Sequence, residues 1–205
     1  MSASFCHIVG AGERTCDVIA PAPGDLLIAA DGGYSWLRAL GLEPDVLVGD
    51  FDSLAEVPAL PGVVRLPKEK DDTDTMFAVR LAMERGYSNF RIYGGAGGRF
   101  DHTLANLQIL TFLARRGCGN TMYGPTWMAS AVTDGELCLP AGQTGMVSVF
   151  CQGDEATGVY LEGLKYPLTD ATLTCDFALG VSNEFTGAPS RVTVGKGTLL
   201  VVWER

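Results

Sequence analysis

The first 120 residues or so alternate between short apolar runs and segments with helical periodicity. The apolar runs predict buried strands at FCHIVG, DLLIAA, VLVGDF, VVRL and FRIYGG. Helical patterns lie between several of them, over residues 34–40, 75–85 and 103–116, and Gly117 is a natural stop for the last. Strands that alternate with helices predict a mainly parallel sheet covered on both faces.

The pattern changes after about Gly119, where helical periodicity ends and valine, threonine and glycine become frequent. Short strands are predicted at MVSVF, VYLEG, ATLTC, RVTVG and TLLVVW, separated by turns such as QGDE and GKG. The segment TMYG, residues 121–124, is open to assignment as the last strand of the first sheet. The pattern therefore predicts an α/β domain over residues 1–125 and an all-β domain over residues 126–205.

Composition narrows the class of protein. With 47% hydrophobic and 19% charged residues, a chain of 205 residues is globular and can bury a substantial core. Its net charge of -9 argues against a general binder of nucleic acid or of an anionic membrane surface, although a small phosphorylated ligand can be held through a metal ion. The N-terminal residues do not have the pattern of a signal peptide, and no apolar stretch is long enough to span a bilayer, so a cytoplasmic protein is expected.

The cysteines and histidines indicate no zinc site. The six cysteines contain no CxxC pair, which is typical of reduced thiols in a cytosolic protein. The two histidines, His7 and His102, have no cysteine at ligand spacing. His7 lies within an apolar strand and is expected to be a core residue.

Polar and acidic residues follow four of the predicted strands. Because the carboxyl ends of parallel strands meet at one edge of an open sheet, these four loops are expected to face a common ligand crevice. The loops are Asp31-Gly32-Gly33, Asp50-Phe51-Asp52-Ser53, KEKDDTD over residues 68–74, and GGAGGRFDH over residues 94–102.

Asp50 and Asp52 predict a metal site. They flank Phe51, so in a continued strand both carboxylates would point the same way, and two like charges this close recruit a cation. Oxygen ligands without a nearby cysteine or histidine favour Mg²⁺, which binds one or two carboxylates together with substrate phosphates. A structural interpretation stays open for other acidic residues: Asp72 or Thr73, and Asp101, are plausible helix N-caps.

The loop GGAGGRFDH predicts a phosphate site. Its glycines allow backbone N–H groups to approach a ligand, Arg99 can bind phosphate oxygens, and a helix N-terminus follows. It is not a Walker A loop, because no GK[ST] follows. The earlier GAGERT has Thr15 where a dinucleotide fingerprint has its third glycine, so little weight falls on it.

Taken together, these motifs resemble the thiamine pyrophosphokinase (thiamine diphosphokinase) family over nearly the whole chain. The resemblance rests on DGG, GDFDS, KDDTD, GGAGGRFDH followed by Asn106, and VSN at residues 181–183. It implies that the all-β domain is a β-sandwich that binds thiamine. It also implies transfer of pyrophosphate from ATP to the thiamine hydroxyl by Mg²⁺-assisted attack on the β-phosphorus, giving thiamine diphosphate and AMP. The implied assembly is a homodimer with the thiamine site near the subunit interface.

The resemblance also implies roles for individual residues. The catalytic residues would be Asp50, Asp52, Asp74 and Asp101, of which Asp50, Asp52 and Asp74 would bind the metal. The ATP-binding residues would be Asp31, Gly32, Lys70, Asp72, Gly97, Gly98, Arg99 and His102. The thiamine-binding residues would be Ser182, Asn183 and Asn106. Trp127 and Trp203 are both candidates for an aromatic platform under thiamine, whereas Trp36 is expected in the core.

Two alternative functions fit part of the same pattern. Aspartates at strand ends with a following histidine also suit a metal-dependent phosphoesterase that acts on a phosphorylated small molecule. A non-catalytic protein that binds thiamine or a nucleotide is the other alternative. Release of phosphate from ATP without thiamine would identify the first, and thiamine binding without AMP formation would identify the second.

Overall fold

The computed structural model describes residues 4–15, 18–51, 62–67 and 71–205. The chain groups into two compact units. The first spans Met1–Ile109 and Cys118–Pro125, and the second spans Leu110–Gly117 and Thr126–Arg205. The sequence pattern does not predict the grouping of residues 110–117 with the second unit, and the functional division after residue 125 stays a prediction.

The first unit is built on a parallel sheet, as the sequence predicts. Its described strands are β1 (Cys6–Val9), β2 (Leu26–Ala30), β3 (Val46–Gly49), β4 (Val63–Arg65), β5 (Asn89–Tyr93) and β6 (Gly119–Tyr123). Their order across the sheet is β4-β3-β2-β1-β5-β6, and every pairing described between them is parallel. The segment TMYG therefore ends the last strand of this sheet.

The strands β1, β2 and β3 are buried along their whole length, because a sheet covered on both faces hides every side chain. Ile8, Ile28 and Leu47 have no solvent exposure. This explains why these strands are continuous apolar runs in the sequence and lack an alternating pattern.

Three helices are described: α1 (Gly33–Ala39), α2 (Asp74–Glu84) and α3 (Phe100–Ala114). All three are predicted from the sequence, and each begins one to three residues earlier than its apolar pattern indicates. Thr73 is the N-cap of α2, since its Oγ1 accepts a hydrogen bond from the Met76 N–H at 3.1 Å. The interpretation of Asp101 as an N-cap is wrong, because α3 begins at Phe100 and Asp101 lies in its first turn.

His7 is a core residue, as predicted. Its side chain is fully buried, and Nε2 lies 3.0 Å from Asp25 Oδ2 while Nδ1 lies 3.5 Å from the Tyr93 hydroxyl. Burial lowers the pKa of His7 below its ordinary value, against the opposing effect of Asp25. The neutral ring therefore donates from Nε2 to the Asp25 carboxylate and accepts at Nδ1 from Tyr93. Trp36, with 4% of its surface exposed, is also in the core.

The second unit is an antiparallel β structure. Its described strands are β7 (Trp127–Leu139), β8 (Met146–Cys151), β9 (Glu155–Glu162), β10 (Leu168–Thr174), β11 (Gly180–Glu184) and β12 (Ser190–Glu204). Every pairing described among them is antiparallel. The prediction of an α/β part followed by an all-β part is thus confirmed, and the finer assignment of a β-sandwich stays a prediction.

The segment GKG is not a turn, which corrects the prediction of two strands near the C-terminal end of the sequence. β12 continues through Gly195–Lys196–Gly197, and its register with β7 shifts between Val194 and Thr198. Gly197 has φ +114°, and a Cβ there would lie 2.9 Å from the Ala156 Cα, so the chain passes this point as a glycine bulge. On one side of the bulge β12 pairs with β9, and on the other with β8.

Trp203 belongs to the hydrophobic core of the second unit, together with Val147, Val159, Leu161 and Val201. Only 6% of its surface is exposed, so its ring cannot serve as an open platform for a ligand. Trp127 is half-buried at the start of β7. No helix among the described residues is long and apolar enough to cross a membrane.

Candidate active site

The order of the parallel strands places a crevice between β1 and β5. Strands β2, β3 and β4 follow β1 toward one edge of the sheet, whereas β5 and β6 lie on its other side. Ligands of open α/β sheets bind at the carboxyl ends of the strands where the direction reverses in this way. A cavity of about 490 Å³ lies there, within the first unit. Its lining residues are Ala11, Gly12, Glu13, Thr75, Gly94, Gly95, Gly97, Gly98, Arg99, His102 and Asn106.

Two loops, residues 10–13 after β1 and residues 94–99 after β5, are hydrogen-bonded to each other through their backbones. The N–H groups of Gly10, Gly12 and Glu13 donate to the carbonyls of Tyr93, Gly94 and Ala96 at 2.8, 2.9 and 2.7 Å. A Cβ at Gly12 would lie 2.4 Å from the Ala96 oxygen, so this approach requires glycine. The segment GAGERT, to which the sequence gives little weight as a dinucleotide fingerprint, thus contributes Ala11, Gly12 and Glu13 to the wall of the cavity.

The second loop also needs its glycines. Gly97 and Gly98 have φ values of +88° and +67°, in the left-handed region that side chains disfavour. A Cβ at Gly97 would lie 2.5 Å from the Glu13 Cβ, whereas nothing lies within 4 Å of one at Gly98. The predicted ATP-binding residues Gly97 and Gly98 thus stand together on the cavity wall.

Arg99 and Asp101 form an ion pair at the cavity. Arg99 Nε donates to Asp101 Oδ1 at 3.2 Å, and Arg99 Nη2 donates to Oδ2 at 2.5 Å. Both side chains are largely exposed. The hydrogen bond from Arg99 lowers the pKa of Asp101 below its ordinary value and, in return, raises the pKa of Arg99. Asp101 is thus ionised at neutral pH, and an incoming phosphate would compete with it for Arg99.

His102 and Asn106 both line the cavity from α3. His102 is exposed, whereas Asn106 is buried, and its Nδ2 donates to the Gly95 carbonyl at 2.7 Å. Asn106 therefore fixes the glycine loop against the helix. Its contact with thiamine stays a prediction.

The remaining acidic residues follow neighbouring strands. Asp31 comes directly after β2 with φ +49°, Asp50 comes directly after β3, and Asp74 begins α2. Phe51 is 4% exposed and has φ +62°, so β3 ends at Gly49 and the backbone turns at Phe51. β3 therefore does not continue through Asp50 and Phe51, and the common direction predicted for the Asp50 and Asp52 side chains stays a prediction, because Asp52 lies outside the described residues.

Two predicted site residues, Asp52 and Lys70, lie outside the described residues. Across residues 4–15, 18–51, 62–67 and 71–205, no group of three histidine, cysteine, aspartate or glutamate side chains could hold a metal ion. The predicted ATP-binding residue Asp72 forms an ion pair with Arg80 of α2, at 3.2 Å. Gly32 lies beside the first loop, since a Cβ there would be 3.1 Å from the Ala11 Cβ.

The predicted thiamine residues Ser182 and Asn183 line one cavity of about 420 Å³ within the second unit. Ser182 is exposed, with φ +60°. Asn183 is 4% exposed, and its Oδ1 accepts from the N–H groups of Tyr166 and Glu184, both at 2.9 Å. Its Nδ2 donates to the Tyr166 carbonyl at 2.7 Å, so this amide is engaged in holding the backbone.

Sequence reasoning missed four residues on the wall of the first cavity: Ala11, Gly12, Glu13 and Thr75. A signal for the first three was present, because GAG directly follows the first predicted strand. The signal was discounted because Thr15 stands where a dinucleotide-binding fingerprint has its third glycine. Thr75 carries no local signal, since its position in the first turn of α2 looks like ordinary helix sequence.

Comparison with known proteins agrees with this geometry. The model of the thiamin pyrophosphokinase catalytic domain matches residues 22–120, and that of the thiamin pyrophosphokinase vitamin B1 binding domain matches residues 137–199. Thiamine pyrophosphokinase of Bacillus subtilis is 26% identical over 209 residues, covering 92% of this chain and 98% of the relative.

Solved structures give the same result. The crystal structure of thiamine pyrophosphokinase from Bacillus subtilis has a TM-score of 0.89 at 27% identity, covering 98% of this chain and 99% of that one. The enzyme from Geobacillus thermodenitrificans has a TM-score of 0.84 at 26% identity, covering 98% and 97%. These matches confirm the predicted class of enzyme, a thiamine diphosphokinase. The chain belongs to the thiamine pyrophosphokinase family.

Proposed function

We propose that this chain transfers the pyrophosphoryl group of ATP to the hydroxyl of thiamine, giving thiamine diphosphate and AMP. The observation that carries the proposal is the cavity between β1 and β5, where Gly97, Gly98 and Arg99 meet the start of α3. Backbone N–H groups, a guanidinium and a helix N-terminus form a binding site for phosphate oxygens. In a member of this family, the phosphates are those of ATP.

The loop and Arg99 bind and orient the triphosphate. In the reaction the thiamine oxygen forms a bond to the β-phosphorus, and the bond from that phosphorus to the bridging oxygen of AMP breaks. Such a transfer needs alignment and charge neutralisation more than covalent chemistry. Arg99 supplies positive charge beside the negatively charged phosphates of ATP.

Asp101 is proposed to receive the thiamine hydroxyl. Its carboxylate is ionised at neutral pH because Arg99 lowers its pKa, so it accepts a hydrogen bond from the hydroxyl and orients it. When Arg99 turns to the phosphates, both carboxylate oxygens are released, and either can accept this bond. The hydroxyl proton passes to Asp101 or to solvent, since a loose transition state requires little base strength.

The acidic residues at the strand ends fit Mg²⁺ by their chemistry. Asp50 and Asp74 offer carboxylate oxygens, and Asp52 adds another from outside the described residues. Mg²⁺ is usually held by one or two carboxylates together with substrate phosphates, and these aspartates and ATP would supply both. Bound with ATP at these residues, Mg²⁺ would neutralise charge on the phosphates and polarise the β-phosphorus.

The second unit is proposed to bind the thiamine rings through the cavity that holds Ser182 and Asn183. Ser182 has an exposed side chain there, suited to a hydrogen bond with the aminopyrimidine. The assembly proposed for this enzyme is a homodimer with the thiamine site near the subunit interface, an inference from the family alone.

A product assay tests the proposed reaction. Purified protein is incubated with ATP, with and without thiamine and with and without Mg²⁺, and the products are separated by chromatography. AMP and thiamine diphosphate are expected in equal amounts, and only when both thiamine and Mg²⁺ are present. Asp101→Asn should reduce turnover by at least tenfold, whereas Asp154→Asn, in an exposed turn of the second unit, should not.

Other outcomes would favour the alternatives. Phosphate or ADP released at the same rate without thiamine would indicate a phosphoesterase. Thiamine binding in calorimetry without formation of AMP would indicate a binding protein. Equal activity of the Asp101→Asn and Asp154→Asn variants would contradict the role given to Asp101.

A further inference from the structure

The two loops around the first cavity offer different chemistry to a ligand. The N–H group of Gly10 donates to the carbonyl of Tyr93 at the end of β5, and those of Gly12 and Glu13 donate to carbonyls of the second loop. These groups are therefore not available to phosphate oxygens, although the loop looks like a glycine-rich phosphate loop. The polar side chain that this loop presents to the cavity is Glu13, whose carboxylate accepts hydrogen bonds.

The Glu13 side chain lies directly over Gly97. A Cβ built on Gly97 would be 2.5 Å from the Glu13 Cβ and 3.0 Å from its Oε2. Glu13 is exposed, and among the described residues its carboxylate has no partner in a hydrogen bond or an ion pair. It is also the only carboxylate among the described residues that line this cavity.

Within a nucleotide, this carboxylate can bind only to groups that donate hydrogen bonds. Phosphate oxygens would be repelled by it, so the triphosphate has to lie toward Arg99 and the start of α3. In a nucleotide, the neutral donors closest to the phosphates are the ribose hydroxyls, and the amine of the base lies beyond the sugar. Because Glu13 adjoins the phosphate loop at Gly97, the ribose is the part of the nucleotide within its reach.

We infer that Glu13 accepts hydrogen bonds from the ribose hydroxyls of the nucleotide and makes this enzyme selective for ribonucleotides. A carboxylate that binds a ribose diol at the switch point of an α/β sheet is a recurrent solution in other folds. The inference rests on the proposed function, since that function brings a nucleotide to this cavity.

The expected effect on affinity is substantial. A site that hydrogen-bonds a substrate hydroxyl rejects the analogue without this hydroxyl, because the polar group of the protein is then desolvated and has no partner. A hydrogen bond to a charged group corresponds to about a tenfold change in affinity or more.

Binding of AMP without Mg²⁺ tests the inference separately from catalysis. Dissociation constants are measured by calorimetry for AMP, 2′-deoxy-AMP, 3′-deoxy-AMP and inosine monophosphate. The proteins are the wild type, Glu13→Gln and Glu84→Gln. Glu84 ends α2 and is exposed, so the last variant controls for the loss of one negative charge.

The wild type should bind AMP about tenfold more tightly than at least one deoxy analogue. Glu13→Gln should weaken AMP binding and reduce the ratio of the dissociation constants of that analogue and AMP to about twofold, because a neutral amide oxygen accepts a weaker hydrogen bond than a carboxylate. Glu84→Gln should behave as the wild type. The ratio of the dissociation constants of AMP and inosine monophosphate should be the same in all three proteins.

Several results would overturn the inference. One is an unchanged preference for AMP over both deoxy analogues in Glu13→Gln. Another is a changed ratio between AMP and inosine monophosphate, which would assign the carboxylate to the base. Absence of AMP binding by the wild type would also contradict it. Failure of the product assay with normal AMP binding would instead contradict the proposed function and leave the role of Glu13 intact.

Discussion

Asn183 is, by its contacts, a support for the backbone. Its amide makes three hydrogen bonds to the main chain of Tyr166 and Glu184 while almost fully buried. Its neighbour Ser182 uses only its backbone N–H, which donates to Ser148 Oγ at 3.1 Å. Two adjacent residues with the same predicted role thus differ in what their side chains do for the fold.

Asn183→Ala should lower the free energy of unfolding by about 2–4 kcal/mol, because it leaves buried backbone groups without partners. Ser182→Ala should change it by less than about 0.5 kcal/mol and should mainly raise the KM for thiamine. Urea unfolding and steady-state kinetics of both variants check this. A stable Asn183→Ala with a raised KM for thiamine would show instead that its amide serves the substrate.

His7 should make stability depend on pH. Its pKa in the folded protein lies below its ordinary value of 6.5, because its ring is buried. Below about pH 6.5 the unfolded chain therefore binds more protons than the folded one, and the free energy of unfolding falls as the pH is lowered. Above that pH the contribution is fully present.

Urea unfolding at several pH values from 5 to 8 measures this dependence. His7→Gln should flatten the slope below pH 6.5. An NMR titration of the His7 ring gives its pKa directly if His7→Gln does not fold. A value at or above 6.5 would contradict the prediction.

The sequence predicts some residues of the candidate site and not others for a physical reason. Gly97, Gly98, Arg99 and His102 belong to one continuous motif, and the structure brings them to one cavity. Glu13 joins them only because β1 pairs with β5, a contact between residues more than 80 positions apart. No local pattern encodes that neighbour.

At the scale of elements, the loops after β1 and β5 act as one structure. Three backbone hydrogen bonds join them, and glycines on both sides allow the close approach. A substitution in one loop should therefore alter the conformation of the other.

Gly97→Ala and Gly98→Ala separate this coupling from simple backbone strain. Both place a side chain in the left-handed region, at a cost of about 1–2 kcal/mol. Only at Gly97 does the new methyl group collide with Glu13, which adds about 1–3 kcal/mol of overpacking. Gly97→Ala should thus lose more stability and more AMP affinity than Gly98→Ala, by urea unfolding and calorimetry. Equal losses in the two variants would show that the loops are independent.

The sequence predicts strands correctly where every residue of the strand is buried. Three apolar runs of the first unit correspond to the fully buried parallel strands β1, β2 and β3, so both their type and place follow from the sequence. β7 was missed because polar residues such as Asp134 and Glu136 interrupt it, and β11 because GVSNE is short and polar. The glycines of GKG predicted a turn, whereas β12 uses them for a bulge.

For the molecule as a whole, metal is expected to matter for turnover and not for folding. The proposed Mg²⁺ is expected to arrive with ATP, because Mg²⁺ in proteins usually has few protein ligands and binds substrate phosphates. Treatment with EDTA should abolish formation of AMP and change the Tm by less than about 2 °C. Addition of Mg²⁺ should restore activity. A Tm lowered by many degrees after chelation would point to a structural metal.

β12 has a consequence for how the chain acquires its structure. It pairs with β7, β8 and β9. Its residue Glu204 lies opposite Trp127 of β7, although most of the sequence of the second unit separates the two. On the ribosome, none of those three strands can gain this partner until residues 190–204 have emerged. Pairings so distant in sequence are formed slowly, because the loop must close before its contacts stabilise it. The second unit should therefore depend on chaperones during synthesis for longer than its size alone would indicate.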